Sequence, residues 1–250
     1  AKVENHEKAI WAYDYCLLIN PDFGAAHFNL GNVYLTEEKF RKAVESFEKC
    51  MEVDGDDPVA LCYIGEAYEQ LNELSLARMY YQRSIDMAPM MADAWLGMGI
   101  VIDLEGETFN ALPFLLKAIE LEPKNASYYH VIAGAYEKLN ELDVAIENYE
   151  HSLLMEPSDE ECLDNLMSML LVNDPLEAYR FIHAFEENFG TNTRTPLWIT
   201  NVYYYLGRKT DALYYFREFF EKNKALALEI FELNPQFRED EAFKPFLESE

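Results

Sequence analysis

Residues 92–125 read ADAWLGMGIVIDLEGETFNALPFLLKAIELEPKN, and their pattern decides the fold. Ala92 to Leu104 places Trp95, Met98 and Ile102 at three- and four-residue spacing, the apolar stripe of one helix. Gly106 follows and suits a left-handed helix C-cap. A second helix is predicted from Thr108 to Leu121, with Phe114, Leu115, Ala118 and Leu121 on its apolar side. It stops before Pro123, whose ring cannot continue it. Gly99 and Ala111 carry almost no side chain, so the two helices can approach closely there. The stretch is one helix–turn–helix unit.

The unit recurs. A step of 34 residues links Gly31, Gly65, Gly99 and Ala133, and also Ala9, Ala43, Ala77, Ala111 and Ala145. Tyr34, Tyr68, Ile102 and Tyr136 keep the step, as do the helix stoppers Pro21, Gly55, Pro89, Pro123 and Pro157. A constant period in this range is the mark of a solenoid. With Trp95, Leu30-Gly31, Tyr34, Ala43, Phe47 and Pro89 in these places, the chain resembles the tetratricopeptide repeat family. The resemblance implies an all-α, right-handed α-solenoid of antiparallel helix pairs, forming one continuous domain over 1–250. Regular repeats are expected at 24–57, 58–91, 92–125 and 126–159.

The ends are less regular. Residues 2–19 read as the second helix of a partial repeat, 1–23, and the apolar residues Ile10, Trp11, Tyr13 and Leu17 lead to the expectation that the native chain extends further upstream. The internal turns are Asn72-Glu73-Leu74 and Asn140-Glu141-Leu142, where Asn tolerates the left-handed conformation. Glu38 stands in that place in the first regular repeat, a loss of the cap but not of the register. Asp54-Gly55-Asp56-Asp57 is read as a turn. As a calcium loop it fails, since the sixth and twelfth places from Asp54 hold Val59 and Gly65 instead of Gly and Glu.

Residues 160–192 form a degenerate repeat. Met167 replaces the usual Gly and should push its two helices apart, and the turn Asn173-Asp174-Pro175 is one residue short. Gly190-Thr191-Asn192-Thr193 is a polar linker. Residues 193–226 recover the pattern through Trp198, Tyr203, Gly207, Ala212, Phe216 and Phe219. Residues 227–250 are expected to cap the array, with one helix at about 225–233 and a short one within 240–247 that packs through Phe243, Phe246 and Leu247.

Composition narrows the function. Lys plus Arg number 20 against 46 Asp plus Glu, a net charge of −26. Such a chain is repelled by nucleic acid and by anionic membrane, both polyanions, and no apolar run is long enough to cross a bilayer. The acidic surface serves solubility first. The four cysteines form no Cys-x-x-Cys pair; Cys16 and Cys50, 34 residues apart, read as small buried residues. A reducing, cytoplasmic compartment is the expectation. No phosphate loop, dinucleotide fingerprint, nucleophile elbow or His-Glu-x-x-His occurs, and no two of the five histidines lie four apart. The reading is therefore of no enzyme, no cofactor, no metal and no catalytic residue.

What remains is a surface. The resemblance implies that the first helix of each repeat lines a concave groove for a peptide or protein partner. By register the groove residues are Phe28, Asn32 and Leu35; Cys62, Glu66 and Glu69; Asp93, Leu96, Ile100 and Asp103; His130, Gly134, Glu137 and Lys138. The degenerate repeat adds Asp164, Ser168 and Leu171, and the next repeat adds Leu197, Asn201 and Tyr204. Carboxylates mixed with apolar groups suit a peptide bearing Lys or Arg beside a bulky apolar residue. One subfamily of similar proteins clamps the C-terminal carboxylate of chaperones with Lys, Asn and Arg. Here only Asn32 matches; Phe28 takes the Lys place and Asp93 and Gly97 the basic places, so an acidic tail should be rejected. The expected function is a protein-interaction scaffold. The alternatives are a docking arm of a larger enzyme and a scaffold that self-associates through its ends.

Overall fold

The structure is a computed structural model that describes residues 2–247, with side chains from His6 onward. The described residues are all-α, without a strand. By their contacts they fall into two compact units, 1–141 and 142–250.

The first unit holds α1 (Lys2–Ile19), α2 (Gly24–Thr36), α3 (Phe40–Asp54), α4 (Pro58–Gln70), α5 (Leu74–Met87), α6 (Ala92–Leu104), α7 (Thr108–Leu121) and α8 (Ala126–Lys138). The pairs α2–α3, α4–α5 and α6–α7 pack along most of their length, and each pair packs on the next, the arrangement of an α-solenoid. Three glycines make the close pairing possible. A Cβ on Gly31 would lie 2.7 Å from the Phe47 ring, one on Gly65 2.9 Å from Tyr81, and one on Gly99 2.4 Å from Leu115. Phe47, Tyr81 and Leu115 are all buried, and burying a side chain of that size stabilises by about 1.5–3 kcal/mol. First helices also touch each other, α4 with α6 and α6 with α8, so they share one face. The connectors are tied down periodically. The ring nitrogen of His27 meets the Pro21 carbonyl at 2.9 Å, Trp95 donates to that of Pro89 at 2.9 Å, and the Tyr129 hydroxyl donates to that of Pro123 at 3.2 Å.

Two expectations are corrected in this unit. Glu38 does not cost the cap: it adopts the left-handed conformation itself, at φ 58°, matching Asn72 at 57° and Asn140 at 61°. The Lys39 N–H then reaches the Tyr34 carbonyl at 2.8 Å, as Glu73 reaches Tyr68 and Glu141 reaches Tyr136. The turn overrides the residue. Replacing Glu38 by Asn is expected to stabilise by about 0.5–1 kcal/mol, read from the denaturant midpoint; an unchanged midpoint would show the strain to be relaxed. Cys16 is the other correction. Cys50 and Ser84, one and two repeats on, are buried, and Ser84 donates to the Pro58 carbonyl at the start of the helix before it. Among the described residues no helix precedes α1, and Cys16 is exposed. A bulky thiol reagent should therefore modify Cys16 promptly and Cys50, Cys62 and Cys162 only on unfolding.

The second unit holds α9 (Leu142–Met155), α10 (Glu160–Asn173), α11 (Pro175–Phe189), α12 (Thr195–Tyr205), α13 (Lys209–Lys222), α14 (Lys224–Leu228), α15 (Ile230–Leu233), α16 (Gln236–Glu239) and α17 (Lys244–Leu247). Met167 is fully buried, and α10 and α11 meet over less of their length than α6 and α7, as a large residue in the glycine place requires. Asp174 takes the short turn by accepting from the N–H groups of Leu176 and Glu177. In the polar linker, Gly190 ends α11 at φ 83° and the Asn192 side chain accepts from the backbone of Arg194 and Thr195. The helix expected at 225–233 is broken at Glu229 into α14 and α15. Phe231 and Phe243 are buried against Phe216, and Phe237 is buried against Phe243, which closes this end of the unit.

Candidate functional site

The shared face of α2, α4, α6 and α8 is built in rows, because a 34-residue step carries each position to its counterpart one repeat on. Phe28, Cys62, Leu96 and His130 form the row nearest the core. Phe28 turns down, its ring 5.5 Å from Phe47 and 6.0 Å from Tyr63, and Cys62 is buried. Burial pushes the Cys62 thiol up to about 12, so it is an inert floor group. The next row is Asn32, Glu66, Ile100 and Gly134, and the outer row Leu35, Glu69, Asp103 and Glu137. These two rows reach solvent, with Glu66 and Glu137 exposed and the others half-buried.

The acids of this face are not equivalent. Asp103 is committed on both oxygens, accepting from Thr108 at 2.6 Å and from the Lys138 ammonium at 2.5 Å. Asp93 accepts from the buried Tyr128 hydroxyl at 2.5 Å. Glu137 is exposed and His130 half-buried. Glu66 and Glu69, one turn apart on α4, have no cation beside them among the described residues. Burial among the groove walls raises the Glu66 carboxyl above its usual range, and the Asp93 charge adds to it. For Glu69, burial pushes the carboxyl up to about 7; a hydrogen bond from Tyr81 at 2.9 Å opposes this, and the Glu66 charge adds to it.

Tyr81 is the residue that sequence reasoning missed. It belongs to α5, a second helix, yet its hydroxyl emerges between α4 and α6 to hold Glu69. The passage exists because Gly65 and Gly97 flank the ring; a Cβ on Gly97 would come within 2.2 Å of it. Gly97, two residues before the family glycine and far from any turn, was the available signal. Glu69 also gives the face a pH dependence. Between about pH 4.5 and 7 the native state keeps a proton that the unfolded chain has released, so stability falls as pH rises through that window. The Glu69→Gln variant keeps the acceptor for Tyr81 and removes the charge. Discounted for partial solvent contact, it should be more stable than the native chain by on the order of 2 kcal/mol at pH 8 and by nothing at pH 4. Equal differences at both pH values in urea denaturation would sink the assignment.

In the second unit the expected groove positions are occupied from within. Asp164 accepts from Trp198 at 2.6 Å and from the Arg194 guanidinium at 2.5 and 3.0 Å. Leu171, Leu197 and Asn201 are buried. Asn201 accepts from Asn234 at 3.3 Å, and Tyr204 donates to Asp240 at 3.1 Å while packing on Phe237 at 4.2 Å. Asp164, Asn201 and Tyr204 are thus taken by the chain itself, because α14–α17 and Arg194 fold over them; Ser168 alone of the six positions is exposed. Sequence register locates these residues but cannot show this cover, which comes from segments outside the repeat pattern.

With this geometry in hand, likeness to known proteins is informative. A family model described as tetratricopeptide repeat matches residues 24–57, 59–89 and 126–159. The CTR9 homolog protein of Arabidopsis thaliana is 28% identical over 140 residues, covering 54% of this chain and 13% of that protein. Stress-induced-phosphoprotein 1 of Caenorhabditis elegans is 22% identical over 240 residues, covering 69% of this chain and 75% of that protein. The solved structure of Pseudomonas aeruginosa pilF superimposes with a TM-score of 0.64 over 98% of this chain and 100% of its own, at 17% identity, a likeness of fold.

Proposed function

The chain is a tetratricopeptide-repeat protein, and from that premise we propose that it is a non-catalytic interaction module whose first unit receives a basic, apolar peptide. The observation that carries this reading is the pair Glu66 and Glu69: two carboxyl groups on one turn of α4, the first exposed and the second half-buried, with no cation beside either among the described residues. They stand in a face that also presents the half-buried Asn32, Leu35, Leu96 and Ile100. A Lys or Arg side chain would neutralise the pair, and a bulky apolar neighbour would cover Ile100 and Leu96. Complementary charges across an interface set specificity and on-rate. Asp103 and Asp93 hold the walls and are not recognition groups in this reading. An acidic peptide meets repulsion at α4.

The test is a peptide array of Lys- or Arg-containing nonamers, with and without an adjacent Leu, Phe or Trp, probed at low and high salt. The native chain should retain the basic–apolar members, less at high salt. The Glu66→Lys/Glu69→Lys variant should lose them, and Asp103→Asn should keep them. Retention of the same peptides by the doubly reversed variant would refute the proposal.

A further inference from the structure

α1 carries an apolar outer face, and at two of its positions, Tyr15 and Leu18, α3, α5 and α7 carry charge instead. Stepping 34 residues from Tyr15 gives Lys49, Arg83 and Lys117, and from Leu18 gives Glu52, Asp86 and Glu120. The outer side of α3, α5 and α7 thus repeats a cation followed three residues later by an acid, a pattern that keeps a helix solvated and self-paired; Lys117 and Glu120 meet at 2.9 Å. α1 alone breaks it. Trp11 is 69% exposed, Tyr15 53%, Leu18 79% and Ile19 69%. The rings of Trp11 and Tyr15 stack at 5.7 Å with an interplanar angle of 12°, a preformed aromatic surface. The counterparts of Trp11 and Leu18 on α3, α5 and α7 are exposed, Glu45, Met79 and Pro113 for the first and Glu52, Asp86 and Glu120 for the second, so this side of the helix faces outward in those pairs too.

The spacing 11, 15, 18, 19 is the i, i+4, i+7, i+8 stripe by which one helix packs on another. A soluble chain seldom exposes a contiguous apolar patch of this kind without a partner for it. We propose that this face is the interface between two copies of the chain, α1 packing antiparallel on the partner's α1 about a two-fold axis near Tyr15. An isologous contact needs only a self-complementary stripe, which an apolar helix face supplies. The area fits: four large side chains at these exposures offer roughly 500 Å² per copy, so the pair buries about 1,000 Å², the threshold for a specific interface. The charge of each copy opposes association at long range, so the dimer should tighten as salt screens it, opposite to the behaviour of the acidic groove.

The test is sedimentation equilibrium of the full chain over a dilution series, at about 50 mM and about 500 mM salt. The decisive variant is Tyr15→Lys/Leu18→Glu, which writes the Lys49–Glu52 pattern of α3 into α1. Its side chains lie outside the core, and an unchanged thermal melt will show that it folds. The expected result is a native dimer that dissociates on dilution and strengthens at high salt, with the variant monomeric throughout. Trp11→Glu should act alike, and Glu66→Lys/Glu69→Lys should dimerise as the native chain does, which separates this interface from the groove. A native chain monomeric at every concentration overturns the proposal. So does a dimer that the α1 variants leave intact, or one that weakens with salt.

Discussion

Phe216→Ala is expected to destabilise the second unit by about 3–5 kcal/mol, the largest effect of any substitution considered for this chain. Phe216 of α13 is fully buried. Its ring lies 5.9 Å from Phe231, 5.4 Å from Phe243, 4.9 Å from Phe246 and 5.7 Å from Phe220, three of the four contacts being edge-on. Truncation leaves a cavity lined by rings that cannot collapse into it without losing their own contacts, and aromatic pairs add about 0.5–1.5 kcal/mol beyond area. Phe216→Leu refills most of the space and should cost markedly less. The consequence is local: α14–α17 loosen, and with them the cover over Asn201 and Tyr204. Hydrogen exchange resolved by segment should show protection lost in 224–247 before 24–121. Uniform loss across both units would mean that they unfold as one, and a cost below about 1 kcal/mol would mean that the ring cluster is not the keystone.

How much of this was legible follows from what a repeat can encode. Every contact that recurs at the 34-residue step could be read: Gly31 under Phe47 and Gly99 under Leu115 are the same contact written twice. So could the helix ends, because Gly106 and Pro123 act through their own backbone chemistry. Glu38 shows the limit of local reading, since the neighbouring repeats impose a left-handed turn on a residue that disfavours it. The groove was legible as positions but not as chemistry. Register named Asp103 and Glu69 as equivalents, yet Lys138 neutralises one and Tyr81 sustains the other. Those partners come from different repeats and hold no fixed register. The α1 face was visible as residues in the sequence, but its significance needed the structure to show that Trp11, Tyr15, Leu18 and Ile19 are all exposed on one side of the helix.

Arg194 makes the same point with a measurable consequence. Replacing it by Met is expected to destabilise the second unit by about 2–3 kcal/mol. The Arg194 side chain is 11% exposed and that of Asp164 25%, and the guanidinium meets Asp164 through two nitrogens. Its pKa stays above the ordinary guanidinium value: burial pulls it down, but the Asp164 and Glu229 carboxylates more than offset that. Removing the cation leaves Asp164 half-buried with only the Trp198 N–H, and breaking such a pair costs more than forming it gained. Glu229, at 44% exposed, contributes little. Lys in place of Arg should recover less than half, since an ammonium cannot bridge both oxygens. The Asp164→Asn change should be milder than Arg194→Met, and the double variant less costly than the sum, a coupling of about 1 kcal/mol or more. Additive costs would show that the two residues act separately. Because Arg194 already neutralises Asp164, Asp164→Asn should leave retention of basic peptides unchanged, where Glu66→Gln should weaken it; the proposed recruitment rests on groove acids that the fold leaves without a cation of their own.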